Sequence, residues 1–284
     1  MTAPYDRGLV LPVRLTPSLR EKVWGRTSLA PWFPDSRQPV GEAWYLMPDA
    51  APQPTAAEKE LPLLVKLIFT SERLSVQVHP DDGEGVPRGK TEMWHILEAE
   101  PGATIALGFR QDVSRARLLE STRTGEIEQL LNWVPVKAGE TYFTPAHTVH
   151  AIGAGIVLCE IQQHSDVTYR LWDYGRPREI HVEQAVPICD LGVHPGAAVP
   201  VTLGPGRELL VRSKHFVTES LRLEAGQRHR SSPHPCHLWI CLEGNGTIEG
   251  ETVKQGDVWL LREVAPCALI AGSAMHFLET YVPM

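Results

Sequence analysis

Ser75-Val76-Gln77-Val78-His79-Pro80-Asp81-Asp82, answered by Gly139-Glu140-Thr141-Tyr142-Phe143-Thr144-Pro145 and then His150, is the wording on which the fold turns. Both stretches are short apolar runs closed by turn residues, the pattern of strands rather than helices. Side chains on a strand alternate between faces, so residues two apart share one. Ser75, Gln77 and His79 are therefore expected to project together, with Leu74, Val76 and Val78 on the other face. An apolar layer behind a polar one suits a wall that lines a pocket. Polar residues on strands more often face solvent. Here, however, the polar set ends at a turn, and Lys90-Thr91-Glu92 and His150 follow on later predicted strands. Two imidazoles, a carboxylate and an amide oxygen are the donors of a divalent-metal site. Spacing alone does not bring Glu92 and His150 to His79.

Outward from these segments the chain keeps the same texture. It has 284 residues, with 23 Gly and 24 Pro punctuating short apolar runs. Strands are predicted over 62–69, 74–79, 93–99, 104–108, 141–143 and 156–162, then 216–223, 238–242, 246–249, 258–261, 268–271 and 276–281, which makes the chain mainly β. The stretch 113–133 departs from this. Leu118, Leu119, Ile127, Leu130 and Leu131 recur at helical spacing, with Gly125 as a break between two short helices. A further short helix is expected over 181–186.

Composition excludes several classes. The net charge of −7, with no polybasic run, does not suit nucleic acid. No run approaches the ~18 apolar residues of a membrane span. Residues 1–10 lack the apolar core of a signal peptide. Cys159, Cys189, Cys236, Cys241 and Cys267 are widely spaced and odd in number, unlike a disulfide framework or a zinc ribbon. A reducing cytoplasm follows as the expected setting, with the thiols as small core residues.

Leu61-Pro62-Leu63-Leu64-Val65-Lys66-Leu67, the segment 74–82, Gly89-Lys90-Thr91-Glu92-Met93-Trp94 and Asp166-Val167-Thr168-Tyr169-Arg170 occur in an order that resembles the type I mannose-6-phosphate isomerases, in their short bacterial form. The resemblance runs over residues 11–187 and is tightest over 61–176. The C-terminal third is similar in layout more than in wording. Members of that family are zinc-dependent cupins that interconvert mannose 6-phosphate and fructose 6-phosphate. The resemblance implies one Zn²⁺ per chain, on Gln77, His79, Glu92 and His150, although other divalent transition metals suit the same donors. It implies a phosphate or transition-state role for Arg170, a place in the pocket for Lys90, and a phosphate hydroxyl in Ser75. Lys137 and Lys66 are weaker candidates to bind substrate. Glu160 and Asp166 are implied in ring opening or proton transfer, or as orienting groups. The expected partner is a small-molecule sugar phosphate, and the expected state a monomer or weak homodimer.

Two alternatives share the donor set. Non-haem iron oxygenases also use two His and one carboxylate on cupin folds. A non-catalytic sugar-phosphate-binding regulator would need the pocket but not the chemistry; Lys90 and Arg170, retained beside the ligands, speak against it. The sequence departs from the family in three places. His147, in Pro145-Ala146-His147-Thr148-Val149-His150, stands where a glycine is usual. Trp24-Gly25-Arg26 replaces Trp-Gly-Gly. His95 takes an aromatic position and is expected to pack in the wall. For His147 a reshaped pocket mouth, an added ligand or base, and an exposed substitution are all open, with the last preferred.

An internal repeat organises the whole. Trp94-His95-Ile96-Leu97-Glu98 and Gly102-Ala103-Thr104-Ile105 resemble Trp239-Ile240-Cys241-Leu242-Glu243 and Gly246-Thr247-Ile248. Ala138-Gly139-Glu140-Thr141-Tyr142 resembles Gln255-Gly256-Asp257-Val258-Trp259, and 153–160 matches 272–279. Two related cupin-type units, β-barrels or sandwiches, are expected, joined within 187–208. Residues 1–190 would form the catalytic unit, with the helical insertion near 113–133, and 191–284 a degenerate one. Leu269 takes the place of His150 there and His237 the place of Glu92; His229, His234 and His237 leave a second metal site open, but the second unit is expected to be structural.

Overall fold

The computed structural model describes residues 12–48, 61–232, 234, 236–261 and 266–284. Residues 1–10, read above for a leader, lie outside that set. In chain order the elements are β1 (Val13–Arg14), β2 (Thr16–Arg26), β3 (Val40–Leu46), β4 (Leu63–Phe69), β5 (Val76–Val78), β6 (Glu92–Ala99), β7 (Thr104–Phe109), α1 (Arg115–Thr124), α2 (Ile127–Leu130), β8 (Leu131–Pro135), β9 (Thr141–Thr144), β10 (His150–Ile152), β11 (Ile156–Gln163), β12 (Tyr169–Trp172) and α3 (Val182–Ile188). Then come β13 (Val201–Gly204), β14 (Arg207–Arg212), β15 (Val217–Leu223), β16 (Arg228–Arg230), β17 (His237–Glu243), β18 (Asn245–Ile248), β19 (Glu251–Lys254), β20 (Val258–Leu261), β21 (Ala268–Ala271) and β22 (Met275–Tyr281). The expectation of a mainly β chain holds.

Two compact units result, one of which gathers Pro17–Trp44 and Leu63–Val199. It has a six-stranded sheet, β2-β3-β4-β11-β6-β9, and a five-stranded sheet, β12-β5-β10-β7-β8. Ile68, Trp94, Ile96 and Leu158 from the first meet Ile105, Leu107 and Ile152 from the second in one core. The other face of the five-stranded sheet presents Val76, Val78, Ala106 and Ala151 to Leu118, Ile127 and Ala185 of the three helices. Burial on both faces holds β5 and β10 rigidly, and these strands carry the polar set. Leu74 is a correction: it packs with the inner core, beside Ile152, and not with Val76 and Val78. It precedes β5, so strand alternation does not govern it.

The helices obey their end signals. The Ser114 hydroxyl caps α1 by accepting from the Arg117 amide at 3.2 Å, and Gly125, at φ 80°, ends it in the left-handed region. The helical stretch stops earlier than its apolar spacing predicts, because Leu131 already begins β8.

The second unit holds Pro200–Met284 with short earlier segments. Its sheets run β1-β20-β17-β22-β15-β14-β13 and β16-β21-β18-β19. Leu221, Trp239, Cys241, Ile248, Leu269 and Phe277 share its core. Among the described residues no sheet in either unit closes on itself.

The repeat extends to side chains. Glu160 on β11 lies between Lys66 on β4 and Trp94 on β6, and the Trp94 indole donates to it at 3.1 Å. Glu279 on β22 lies between Glu219 on β15 and Trp239 on β17, and the Trp239 indole donates to it at 3.0 Å. His150 pairs with Gln77 across one sheet, as Leu269 pairs with His229 across the other. The second unit keeps the frame, with Leu269 in the place of His150. His237 Nε2 and His229 Nε2 lie 2.6 and 3.2 Å from the Glu279 carboxylate.

Candidate active site

Gln77 is the middle residue of β5 and pairs with His150, the first of β10, so their side chains leave the same face. His79 follows β5 by one residue. Glu92 opens β6 in the facing sheet. The sandwich brings His150 Nε2 to 3.3 Å from Glu92 Oε1, His79 Nε2 to 3.6 Å from Glu92 Oε2, and Gln77 Nε2 to 3.3 Å from His150 Nε2. Donor atoms of His79, Glu92 and His150 lie within 4.8 Å of one another, and all three residues are buried.

The backbone sets the tautomers. His79 Nδ1 is 2.9 Å from the Val167 carbonyl, and His150 Nδ1 is 2.8 Å from the Thr148 carbonyl. A carbonyl can only accept, so each Nδ1 carries the hydrogen and each Nε2 turns a lone pair inward. Burial, and then Lys90, lower the His79 pKa well below its ordinary value and bring His150 to about 3. Both rings are therefore neutral, the form that ligates metals. Glu92 Oε1 is buried without a hydrogen-bond partner and faces a nitrogen that offers a lone pair rather than a proton. Such a group is costly unless a cation meets it. The Gln77 amide presents its nitrogen to His150, and a half turn exchanges it for the oxygen. Two imidazole nitrogens, a carboxylate and an amide oxygen fit a divalent transition metal.

Lys90 completes the electrostatics. Its ammonium donates to Glu92 Oε2 and lies 2.9 Å from His79 Nε2. Burial opposes its charge, but Glu92 and Glu160 outweigh burial and raise its pKa. Burial, followed by Glu160, pushes Glu92 up to about 8 in spite of Lys90.

Gln77 and Lys90 also line a cleft of about 490 Å³. Arg20, Lys22, Lys66, Lys90, Arg170 and Arg178 face it, against Glu42, Glu160 and Asp166, so positive charge predominates. Of the residues singled out from sequence, Ser75, Gln77, Lys90, Glu160, Asp166 and Arg170 reach the cleft, as does Lys66. His79, Glu92 and His150 lie behind Gln77 and Lys90. Lys137 is not brought to the site. It is exposed between β8 and β9, where its backbone amide donates to Glu140 at 2.8 Å.

Both Glu160 oxygens are engaged, one by Lys66 at 3.0 Å and one by Trp94 at 3.1 Å. Burial opposes ionisation there, yet Lys66 and Lys90 hold its pKa at about 2. Asp166 is exposed at the cleft. Arg170 lies opposite Gln77 across β12 and β5, with Nη1 on the Glu179 carbonyl and Nε buried without a partner. His95 packs as expected, buried with Nδ1 2.9 Å from the Thr141 hydroxyl. His147 lines neither the cleft nor the donor cluster. It adopts φ 75°, with its ring 2.7 Å from Glu84 and its amide donating to the His79 carbonyl at 2.9 Å.

Sequence reasoning missed the wall built by β2 and β3. Trp44 has Lys66 Nζ 4.7 Å and the Arg20 guanidinium 5.2 Å from its ring. Its indole donates to Glu42 at 2.8 Å, and Lys22 lies 3.1 Å from the same carboxylate. The signal was an alternation: Arg20, Lys22 and Trp24 share one strand face, as do Glu42 and Trp44. Arg178 was also missed.

No family model matches the chain. It is 35% identical over 217 residues to a mannose-6-phosphate isomerase of Streptococcus mutans, a match covering 70% of this chain and 68% of that one. It is 32% identical over 298 residues to a mannose-6-phosphate isomerase of Bacillus subtilis, covering 88% and 92% of the two chains. The crystal structure of a mannose 6-phosphate isomerase from Bacillus subtilis superposes with a TM-score of 0.83 at 27% identity, covering 96% of this chain and all of that one. Identity of this degree, extended over most of both chains and carried by one fold, shows that the chain belongs to the type I mannose-6-phosphate isomerase family.

Proposed function

We propose that the chain interconverts mannose 6-phosphate and fructose 6-phosphate through an enediol(ate), with one zinc ion held by Gln77, His79, Glu92 and His150. The observation that carries this reading is the pair of inward Nε2 lone pairs, one on each oxygen of the buried Glu92 carboxylate, behind a cleft rich in positive charge. The reaction moves a proton between C1 and C2 while the carbonyl shifts the other way. A divalent ion held by these residues would supply Lewis-acid polarisation of the carbonyl. The Lys90 ammonium, kept charged beside Glu92, stabilises negative charge developing on the C1 and C2 oxygens. Arg170 and Ser75 hold the phosphate, for which guanidinium offers a planar fork. Glu160 orients Lys66, since both its oxygens are already engaged. Asp166, exposed at the cleft, is left to carry the proton. The iron oxygenase and regulator alternatives are not favoured, because the relatives are isomerases and the cleft keeps the cations a sugar phosphate needs. Cys159, Cys189 and Cys241 are buried free thiols, small core residues as expected. Among the described residues no helix is long and apolar enough to cross a membrane.

The test is turnover of mannose 6-phosphate by zinc-loaded and chelated protein, beside His79→Ala. The variant is expected to lose its zinc by elemental analysis, and its turnover to fall about a thousandfold. A zinc-loaded wild type without turnover would sink the reaction. Full zinc in His79→Ala would sink the site.

A further inference from the structure

After β12 the chain turns back along it. The His181 amide donates to the Arg170 carbonyl at 2.7 Å, and the Arg170 amide donates to His181 Nδ1 at 3.2 Å. The loop between them closes over one carboxylate, Asp173, whose side chain is 1% exposed. Two guanidiniums grip it. Arg176 donates to Oδ1 from Nε at 3.0 Å and from Nη2 at 2.7 Å. Arg178 donates to Oδ2 from Nε at 2.6 Å and to Oδ1 from Nη2 at 2.8 Å. The two then diverge. Arg176 Nη2 also donates to the Arg73 carbonyl at 2.8 Å, and Arg176 does not line the cleft. Arg178 lines it together with Arg170 and Ser75, and Asp173 leaves its Nη1 uncommitted.

We infer that Arg178 is a second phosphate-binding residue, which with Arg170 forms a two-guanidinium grip on the substrate's phosphate, and that Asp173 positions it. This rests on the sugar-phosphate reading above. Asp173 is the one buried carboxylate among Arg170, Arg176 and Arg178; exposed Glu72, 3.8 Å from Arg176, and Glu179 are other acids near them, so the three guanidiniums share little buried negative charge. Like charges crowded at a partly desolvated site are unfavourable until an anion enters. Arg170 shows the strain, its pKa lowered by burial and then by Arg178. Its buried Nε also lacks a partner. The Glu179 carbonyl, next to Arg178 in sequence, accepts from Arg170 Nη1, so one short segment pins both guanidiniums. Arg178 is held in its fork by Asp173 before any ligand arrives. It therefore loses little side-chain freedom on binding.

Inorganic phosphate is the probe, titrated calorimetrically into zinc-loaded wild type, Arg178→Gln, Arg178→Lys and Arg176→Gln, with KM and kcat for mannose 6-phosphate measured in parallel. Arg178→Gln is expected to weaken phosphate and raise KM about 10- to 100-fold, with kcat nearly unchanged, the size of a lost charged hydrogen bond. Arg178→Lys recovers part of this. Arg176→Gln loses the same carboxylate but no cleft contact, so its phosphate affinity stays at the wild-type level. The inference fails if Arg178→Gln binds phosphate normally, if Arg176→Gln weakens phosphate equally, or if the wild type binds none. Phosphate binding lost in Arg178→Gln, in a protein that never turns over mannose 6-phosphate, would uphold the grip and sink the isomerase reading alone.

Discussion

His147 holds a backbone conformation that glycine adopts freely and other residues reach only at a cost of about 1 kcal/mol. What it gains in return is visible. Its ring meets Glu84, its amide holds the His79 carbonyl, and its own carbonyl accepts from Asp190 at 2.8 Å. Burial opposes ionisation of Glu84, yet the His147 bond and the Asp81 amide hold its pKa below the ordinary value. The backbone contacts survive substitution by glycine or alanine, whereas the ring contact does not. His147→Gly therefore loses a half-exposed side-chain contact with Glu84 and gains conformational ease, so its stability stays within about 1 kcal/mol of the wild type. His147→Ala loses the contact and keeps the strain, and falls below His147→Gly by about 1 kcal/mol. Urea denaturation of the three proteins measures the order; Ala as stable as Gly would mean that the left-handed turn relaxes. The sequence showed the glycine-like position from its place in Pro145-Ala146-His147. It did not show Glu84, which approaches across a loop far away in sequence.

Strands show where sequence reading succeeds and where it fails. Those buried on one or both faces, such as β4, β6, β11 and β22, announce themselves through apolar runs. β2 does not, because an edge strand bearing Arg20, Glu21 and Lys22 is written like a loop; charge is what protects a sheet edge. The wall of Trp44 and Glu42 was lost with it. On β22, Glu279 permits a prediction. Burial opposes its ionisation, but the hydrogen bonds from His229 and His237 hold its pKa well below the carboxylate range. A depressed folded pKa means that folding favours the ionised form. The stabilisation is thus full above the unfolded value of about 4.3 and is lost as pH falls through the folded one. Glu279→Gln is expected to be less stable near pH 7 by about 1–3 kcal/mol, and the gap to narrow from about pH 5 downward. Denaturation midpoints between pH 3 and 7 test this, and a gap constant with pH would refute it.

At the scale of the molecule, the first unit's two sheets enclose an interior that is apolar around Ile68, Leu158 and Ile96 and polar around Lys66, Glu160 and Glu92. The polar end turns the lone pairs of His79 and His150 toward the Glu92 carboxylate, so a bound ion is expected to stabilise the fold as well as serve it. A zinc concentration about 100 times the dissociation constant adds about 2.7 kcal/mol. The unfolding temperature is therefore expected to rise with zinc in the wild type and to stay flat in His79→Ala. Equal rises in both proteins would place the ion elsewhere. That two β units repeat was legible in the order of their glycines and tryptophans. How His79, Glu92 and His150 converge was not, because strand pairing between distant segments leaves no local mark. Trp94 and Trp239 each give an indole hydrogen to a carboxylate directly opposite on the neighbouring strand, in the same register. Shared detail of that kind points to descent: one ancestral gene that doubled. The two copies differ at the donor positions: His237 stands where the first unit has Glu92, and Leu269 where it has His150. The chain thus preserves, within itself, a relative against which its own active half can be compared.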